Sequence, residues 1–266
     1  MSTNFKNIQI EKEDPGIWIV KIARPKALNA LNSETLLELK EALNQARLDK
    51  GLRVLIFTGE GEKAFIAGAD ISEMKDKTSS EGVAFARVGH EVTKQLELLS
   101  VPTIAAVNGF ALGGGTEFAI SCDFILASES AVFGQPEVCL GIIPGFGGTV
   151  RLARFAGFPM AKELIYTGRK ISAEEALRIG LANQVFKKNE FREKVIGVAR
   201  EIALNSKSAV VTAKKLLVEF SEMNGLDSKM DAEAQEFGEL FGSPDQREGM
   251  GAFVEKRKPK FEGIEL

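Results

Sequence analysis

Cysteine, histidine and the aromatic residues that carry a polar group are all scarce in this 266-residue chain: two Cys, one His, one Trp and one Tyr. Cys122 and Cys139 are too few for a disulfide framework, and with a lone histidine they give no recognisable metal-ligand spacing. An excess of one charge is missing too. The 34 basic and 37 acidic residues give a net −3, which speaks against nucleic acid as the main partner. No apolar run reaches the roughly 18 residues that a membrane span needs. The opening MSTNFKNIQIEKED has neither a signal-peptide nor a matrix-targeting pattern, and there is no G-x-S-x-G elbow. The expectation is a cytoplasmic protein with no metal, no redox cofactor, no nucleic acid and no membrane among its partners.

What is present reads as a mixed α/β chain, with 44% hydrophobic and 27% charged residues, long enough for one large domain with an appendage. Residues 8–10 and 17–22 are β-favouring runs around Asp14-Pro15-Gly16, the pattern of a hairpin. Trp18, Val20 and Ile22 alternate with Ile19 and Lys21, which predicts one buried face. Ser33 is a suitable N-cap for a helix carrying Leu36, Leu37, Leu39, Leu43 and Ala46 at helical spacing. A strand over 54–57 follows. Gly59-Glu60-Gly61-Glu62-Lys63-Ala64 has the spacing of a dinucleotide fingerprint, but two glutamates would oppose a pyrophosphate and no helical period comes after it. A plain turn is expected there. Asp70 can cap a helix starting near Ile71, and a polar segment at 75–82 leads to a helix over 83–99 with His90 on its solvated side.

Further on, strands are expected at 124–127 and 184–186. Ser172 and Glu175 suit a capping box, and helices follow over 190–204, 208–220 and 227–241. Ser243-Pro244-Asp245-Gln246 opens the last helix with a cap and a Pro at the first helical position. Lys256-Arg257-Lys258 and Lys260 suit either a helix C-terminus or a phosphate. Periodicity by itself thus reaches an α/β class with helices gathered at the C-terminus.

The chemistry concentrates in TIAAVNGFALGGGTEFAISC, residues 103–122. A short buried strand over 103–107 leads to Gly113, Gly114 and Gly115, then to a helical segment from Thr116 that holds one carboxylate, Glu117. Glycines at a helix start leave backbone N–H groups bare, and an acid in apolar company stays protonated or has a task. Glu137, twenty positions on, repeats the situation beside Gly and Pro. Alone, each acid reads equally well as a surface or ion-paired residue. Two of them, both beside glycine-rich backbone, suit acid–base work on one substrate.

AFIAGADISEM, AAVNGFALGGGTE, FGQPEVCLGIIPGFGGTVRL and FVEKRK together resemble the enoyl-CoA hydratase (crotonase) family, short-chain type, and the likeness runs from Arg24-Pro25 to the basic C-terminus. It implies a crotonase spiral of ββα turns with two roughly perpendicular sheets, residues 1–200 as the core with the active site, and residues 201–266 as a helical region for trimer assembly and coenzyme A contacts. Two stacked trimers would make a homohexamer. By the same resemblance the amides of Ala69 and Gly114 form an oxyanion hole, Glu117 and Glu137 hold the reacting water, and Gly145 offers a backbone amide near it. Ala27 with Ala69, Asp70, Ile71 and Ser72 would line the coenzyme A groove. Phe237 and Lys256 would bind coenzyme A, often that of a neighbouring subunit. Thr116 stands where many members carry Cys, a change expected to alter packing near the acyl pocket, and Ile142-Ile143 is a local variation expected to tune its width.

The implied reaction is reversible syn hydration of a trans-2-enoyl-CoA to a 3-hydroxyacyl-CoA. Glu117 takes a proton from water, Glu137 delivers one to C2, and coenzyme A enters as part of the substrate. Three alternatives stay open at this point: a cyclic dienoyl-CoA hydratase, an enoyl-CoA isomerase, and a crotonase-like protein that binds RNA.

Overall fold

β1 (Ile8–Glu13) and β2 (Ile17–Ile22) pair antiparallel across the Asp14-Pro15-Gly16 turn, in a computed structural model that describes residues 5–261. A 3-10 turn at Pro25–Ala27 leads into α1 (Ser33–Leu48), β3 (Val54–Gly59), β4 (Ala64–Ile66), α2 (Ile71–Met74) and α3 (Ser79–Glu97). β5 (Thr103–Val107), β6 (Phe110–Leu112) and α4 (Gly114–Ala119) form a second round of the same kind. β7 (Phe124–Ser128), β8 (Val132–Gly134), a 3-10 helix at Pro136–Leu140 and α5 (Gly148–Thr167) form a third. β9 (Lys170–Ser172), α6 (Ala173–Arg178) and β10 (Gln184–Phe186) end the strands, and α7 (Phe191–Ala203), α8 (Lys207–Glu222), α9 (Leu226–Glu239) and α10 (Pro244–Val254) follow.

Successive strands are dealt to two sheets in alternation. β3, β5 and β7 join the larger sheet, of order β1-β2-β3-β5-β7-β10, while β4, β6 and β8 join the smaller, of order β4-β6-β8-β9. Beyond the opening hairpin the larger sheet is parallel, and β4, β6 and β8 are parallel to one another with β9 antiparallel at the edge. This is the expected spiral of ββα turns. The G-x-G segment of residues 59–64 is the bend that carries the chain from β3 in one sheet to β4 in the other, and a strand rather than a helix follows it.

The larger sheet is buried on both faces, which corrects the one-faced expectation for β2. Trp18, Val20, Ile22, Leu55, Phe57, Ala105 and Val107 face the main core, with Leu36, Leu39 and Leu43 of α1. Ile17, Ile19, Val54, Ile56, Ile104 and Leu126 form a second core with Phe191, Val195, Ile196 and Ala199 of α7. Each such aliphatic contributes about 1.5–3 kcal/mol on burial, so α7 is bound to the sheet by its apolar stripe. A parallel sheet covered on both faces reads as near-continuous apolar runs.

Several local expectations change. Asn32, not Ser33, caps α1: its Oδ1 accepts from Thr35 N at 2.9 Å, and the Ser33 backbone N–H donates to Glu73 instead, also at 2.9 Å. The helix expected over 83–99 spans Ser79–Glu97, because Thr78 and Glu81 form a reciprocal capping box within the polar segment. α4 starts at Gly114 rather than Thr116. Ser172 caps α6, yet the Glu175 side chain turns to Arg169 and Arg178 rather than closing the box. His90 is exposed, as expected, and Cys139, despite its apolar neighbours, is exposed while Cys122 is buried. The expected boundary at residue 200 falls inside α7, and residues 1–4 and 262–266 of the two expected parts lie outside the described residues. Among the described residues no helix is long and apolar enough to cross a membrane.

Candidate active site

The parallel run β4-β6-β8 ends at one rim. Ile66 pairs with Ala111, and Leu112 with Gly134, so three loops from successive rounds of the spiral emerge side by side. These are residues 67–70, the Gly113-Gly114-Gly115 run, and Gln135-Pro136-Glu137. The Gly113 N–H donates to the Gly134 carbonyl at 2.8 Å and locks the second loop to the third. The carboxyl ends of parallel strands are where open α/β sheets place ligands.

Glycine is required here by close approach. A Cβ on Gly115 would fall 1.9 Å from the Ile66 carbonyl oxygen, so only a glycine lets α4 start against β4. Gly113 has φ 51 and ψ −120, a conformation that L side chains rarely adopt. The first loop is held from the side: Leu31 donates to the Gly68 carbonyl and accepts from Asp70, each at 2.8 Å. Among the described residues, the N–H groups of Ala69 and Gly114 give a hydrogen bond to no protein acceptor. They lie close together, since a Cβ on Gly114 would be 3.6 Å from Ala69 N. Two unused donors side by side are an arrangement that can take one oxyanion.

Glu117 projects from α4 and is 2% exposed. Its Oε1 accepts from the Phe146 and Gly148 amides, both at 2.7 Å. Burial raises its pKa above the usual carboxylate range, opposed by the Gly148 and Phe146 amides, the Arg151 charge and the Gly145 amide. Gly145 itself borders open space: a Cβ there would meet nothing within 4 Å.

Glu137, 8% exposed, sits in the 3-10 helix after β8. Its pKa is pushed up to about 7 by burial first and by the neighbouring Glu117 charge, against the pull of its own amide. The side-chain amide of the buried Gln135 lies 3.0 Å from both Glu137 oxygens, and with its NH2 turned toward them it can donate to either. Gly148 stands between Glu117 and Gln135, because a Cβ there would lie 2.8 Å from the Gln135 amide and 3.1 Å from Glu117 Cγ. Glu117 and Glu137 therefore face one region, close enough for the charge of the first to act on the second.

The groove residues lie beside the first loop. Ala27 ends a 3-10 turn followed by Leu28 and Asn29 at positive φ, and the buried Asn29 side chain pins that turn to the Glu60 and Ala64 carbonyls. Asp70 pairs with Arg24 at 2.9 Å and accepts from the Ser72 amide, while Ile71 and Ser72 are exposed on α2. Phe237 and Lys256 are not brought to the carboxylates within this chain. Phe237 of α9 meets Phe241, just past the end of that helix, edge to face, and Lys256 follows α10 with φ 57. Thr116 bonds the backbone of β6 and β8, donating to Ala111 and Gly134 carbonyls at 2.6 and 3.0 Å, so its hydroxyl fastens α4 to the small sheet. Ile142 and Ile143 are exposed on the loop before Pro144.

Gln135, Phe146, Gly148 and Arg151 escape the sequence reading. A signal existed for two of them. Gln135 is a polar residue between a buried strand and Pro136. Arg151 is a cation in the first turn of a helix, where the dipole disfavours it. Among the described residues no group of three or more His, Cys, Asp or Glu could hold a metal ion. Two cavities lie apart from the acids: about 320 Å³ between the larger sheet and α7, and about 490 Å³ bordered by α5 and α8.

The family model described as enoyl-CoA hydratase/isomerase matches residues 12–264. The chain is 49% identical to a short-chain-enoyl-CoA hydratase of Clostridium acetobutylicum over 96% of its own length and 97% of the relative's. It is 47% identical to a crotonyl-CoA hydratase of Syntrophomonas wolfei, with 97% and 98% covered. A crystal structure of an enoyl-CoA hydratase from Bacillus anthracis superposes with a TM-score of 0.94 at 40% identity, over 97% of this chain and 100% of that one.

Proposed function

The chain belongs to the enoyl-CoA hydratase/isomerase family, and from that premise we infer that it is an enoyl-CoA hydratase, adding water reversibly to a trans-2-enoyl-CoA to give the 3-hydroxyacyl-CoA. The single observation that carries the residue assignment is the meeting of two buried acids, Glu117 and Glu137, with the unused amides of Ala69 and Gly114 at one rim. As water adds at C3, negative charge moves onto the thioester oxygen, and two fixed N–H donors in a buried site answer it; each such donor typically contributes about 3–4 kcal/mol.

Glu117 is the base. The Phe146 and Gly148 amides favour its ionised form and occupy one oxygen, which leaves the other for water. The Gly145 amide, which acts on the Glu117 carboxylate, is close enough to it to help hold the water. Glu137, whose pKa near 7 keeps it substantially protonated at neutral pH, gives its proton to C2 on the same face. In dehydration the roles exchange. No electron changes hands, so the steps draw on no redox group, and the protein's own donors supply the polarisation without a metal.

The acyl group is short, by analogy with the short-chain and crotonyl-CoA relatives. Coenzyme A runs along Ala27 and residues 69–72. Residues before 200 carry the chemistry and residues 201–266 the assembly. Phe253, Val254, Leu217, Leu226 and Phe237 are exposed apolar residues on α8–α10, a surface that a homotrimer, or two stacked trimers, would cover. Phe237 and Lys256 would then reach a neighbour's coenzyme A. A reducing compartment such as the cytoplasm suits a chain whose two thiols are both free.

The test is to assay the purified protein, Glu117→Gln and Glu137→Gln on crotonyl-CoA, longer enoyl-CoAs and a cyclic dienoyl-CoA, following loss of the conjugated thioester absorbance. Crotonyl-CoA should turn over fastest, and each variant should lose about 10²–10⁴-fold in kcat while still binding the thioester. Near-wild-type hydration by either variant overturns that residue's assignment.

A further inference from the structure

The two amides on Glu117 belong to a three-residue turn, and something must hold that turn. Phe146 and Gly148 flank Gly147, which has φ 108. The outward group of the turn is the Phe146 carbonyl, and it accepts from Arg151 Nη1 and from Thr93 Oγ1, both at 3.2 Å. Behind the turn the guanidinium is fixed in its own plane. Nε and Nη2 of Arg151 donate to Glu97 Oε2 at 2.9 and 2.8 Å, and Nη1 also reaches Thr93 Oγ1 at 3.4 Å. The other Glu97 oxygen accepts from Arg154 at 3.0 Å. The fit is tight, since a Cβ on Gly147 would lie 2.2 Å from Arg151 Nη1.

This is an expensive place for a cation. The Arg151 side chain is 12% exposed, and it sits in the first turn of α5, against the helix dipole. A guanidinium, with donors in a rigid fork, can grip a carboxylate with one edge and a carbonyl with the other, which an ammonium cannot.

We propose that Arg151, braced by Glu97, is a positioning residue for hydration: it holds the turn of residues 146–148 so that both amides stay on the Glu117 carboxylate. The inference rests on the reading of Glu117 as the base. The same guanidinium charge acts on Glu117 directly and favours its ionised form. The charged groups facing Glu117 are Glu137 from the 3-10 helix and Arg151 from α5. Those around Arg151 are Glu97 from α3 and Arg154 from its own helix, with the Asp123–Lys214 pair across the adjoining cavity. Removing Arg151 thus leaves Glu137 as the nearest influence on Glu117, and raises its pKa.

The test uses Arg151→Gln, Arg151→Lys and Glu97→Gln in the full-length protein, with two readouts. Amide hydrogen exchange over residues 144–150 needs no turnover. It should accelerate at least 10-fold at Phe146 and Gly148 in Arg151→Gln and less in Arg151→Lys, with β5 and β7 unchanged. With crotonyl-CoA, Arg151→Gln should lose about 10- to 100-fold in kcat with little change in KM. The acid limb of kcat/KM should move to higher pH, and Arg151→Lys should restore the limb while recovering part of the rate. Glu97→Gln should act in the same direction as Arg151→Gln, less strongly. Unchanged exchange at Phe146 and Gly148, or a rate loss equal at every pH in all three variants, overturns the proposal. Faster exchange in a protein that hydrates no enoyl-CoA would leave the brace standing and sink the hydratase reading.

Discussion

A methyl group placed on Gly113 would lie 2.6 Å from Glu137 Oε1, so the glycine that precedes the Gly114 amide and the Glu137 carboxylate limit one another's space. Either the carboxylate or the loop must move if residue 113 acquires a side chain, and the backbone there, at φ 51 and ψ −120, resists one as well. Gly113→Ala should therefore lower kcat on crotonyl-CoA by about 10²-fold, since displacements near 1 Å carry penalties of that size. It should also lower stability by about 1–3 kcal/mol, read by urea unfolding. Wild-type kcat in a folded Gly113→Ala protein would contradict the packing described.

Glu137 makes stability depend on pH in a direction opposite to that of an ion-paired acid. Its folded pKa of about 7 lies above the usual 4.5, so the fold favours the neutral form. Its contribution is undiminished below pH 4.5, declines as pH rises, and carries its full penalty above 7. Relative to Glu137→Gln, the wild-type protein should lose stability across that window, by at most about 3 kcal/mol. Chemical unfolding of both proteins from pH 4.5 to 8 reads the difference. A flat difference, or one of opposite slope, would contradict the assigned environment.

The pH profile of turnover follows from the same pair. One acid must be charged and the other neutral, so kcat/KM should be bell-shaped, with the alkaline limb near 7 set chiefly by Glu137. Adding water across the C2–C3 double bond takes up no net proton. The limbs measured in hydration and in dehydration must then coincide, which steady-state assays in both directions can check.

With its NH2 turned toward Glu137, Gln135 can donate to the carboxylate and so favour its charged form. Gln135→Leu keeps most of the volume and removes the donor. It should lower kcat about 10-fold and move the alkaline limb to higher pH, because an unaided carboxylate in that site holds its proton longer. A limb that stayed in place would show that Gln135 only fills space.

The exposed apolar end of α10 offers a test of assembly. Phe253 is 85% exposed and Val254 79%. Phe253→Glu should reduce the mass measured by light scattering from a trimer or hexamer to a monomer if that surface is the contact, with hydration falling in parallel if a neighbouring subunit helps to bind coenzyme A. An unchanged mass would place the contact elsewhere.

The parts of the fold legible in advance were those with local punctuation. β5 is framed by Pro102 and Asn108-Gly109 and appears at Thr103–Val107 as read; β10 and the Ser243 cap of α10 are equally local. β4, β6, β8 and β9 have three residues each, too short to show a period, and they form only because the first three line up as parallel neighbours. The second face of β2 was hidden for a related reason, since Ile17 and Ile19 are buried by α7, more than 170 residues along the chain. At the site, Glu117 and Glu137 stand out because an acid in apolar company is conspicuous in one dimension. Arg151 does not stand out, because its importance lies in reaching a carbonyl five residues back and an acid on another helix.

Dealing strands alternately to two sheets has an evolutionary consequence. Each round of the coil delivers one short loop to a common rim, and no two of these loops share a stretch of sequence. A substitution at Glu137 alone leaves the residues that carry the two unused amides unchanged in sequence, while the Gly113–Gly134 hydrogen bond still ties the second loop to the third. Such a scaffold can exchange the side chain at position 137 without altering the segments that supply the two amides, so new chemistry becomes accessible through changes confined to a few adjacent codons.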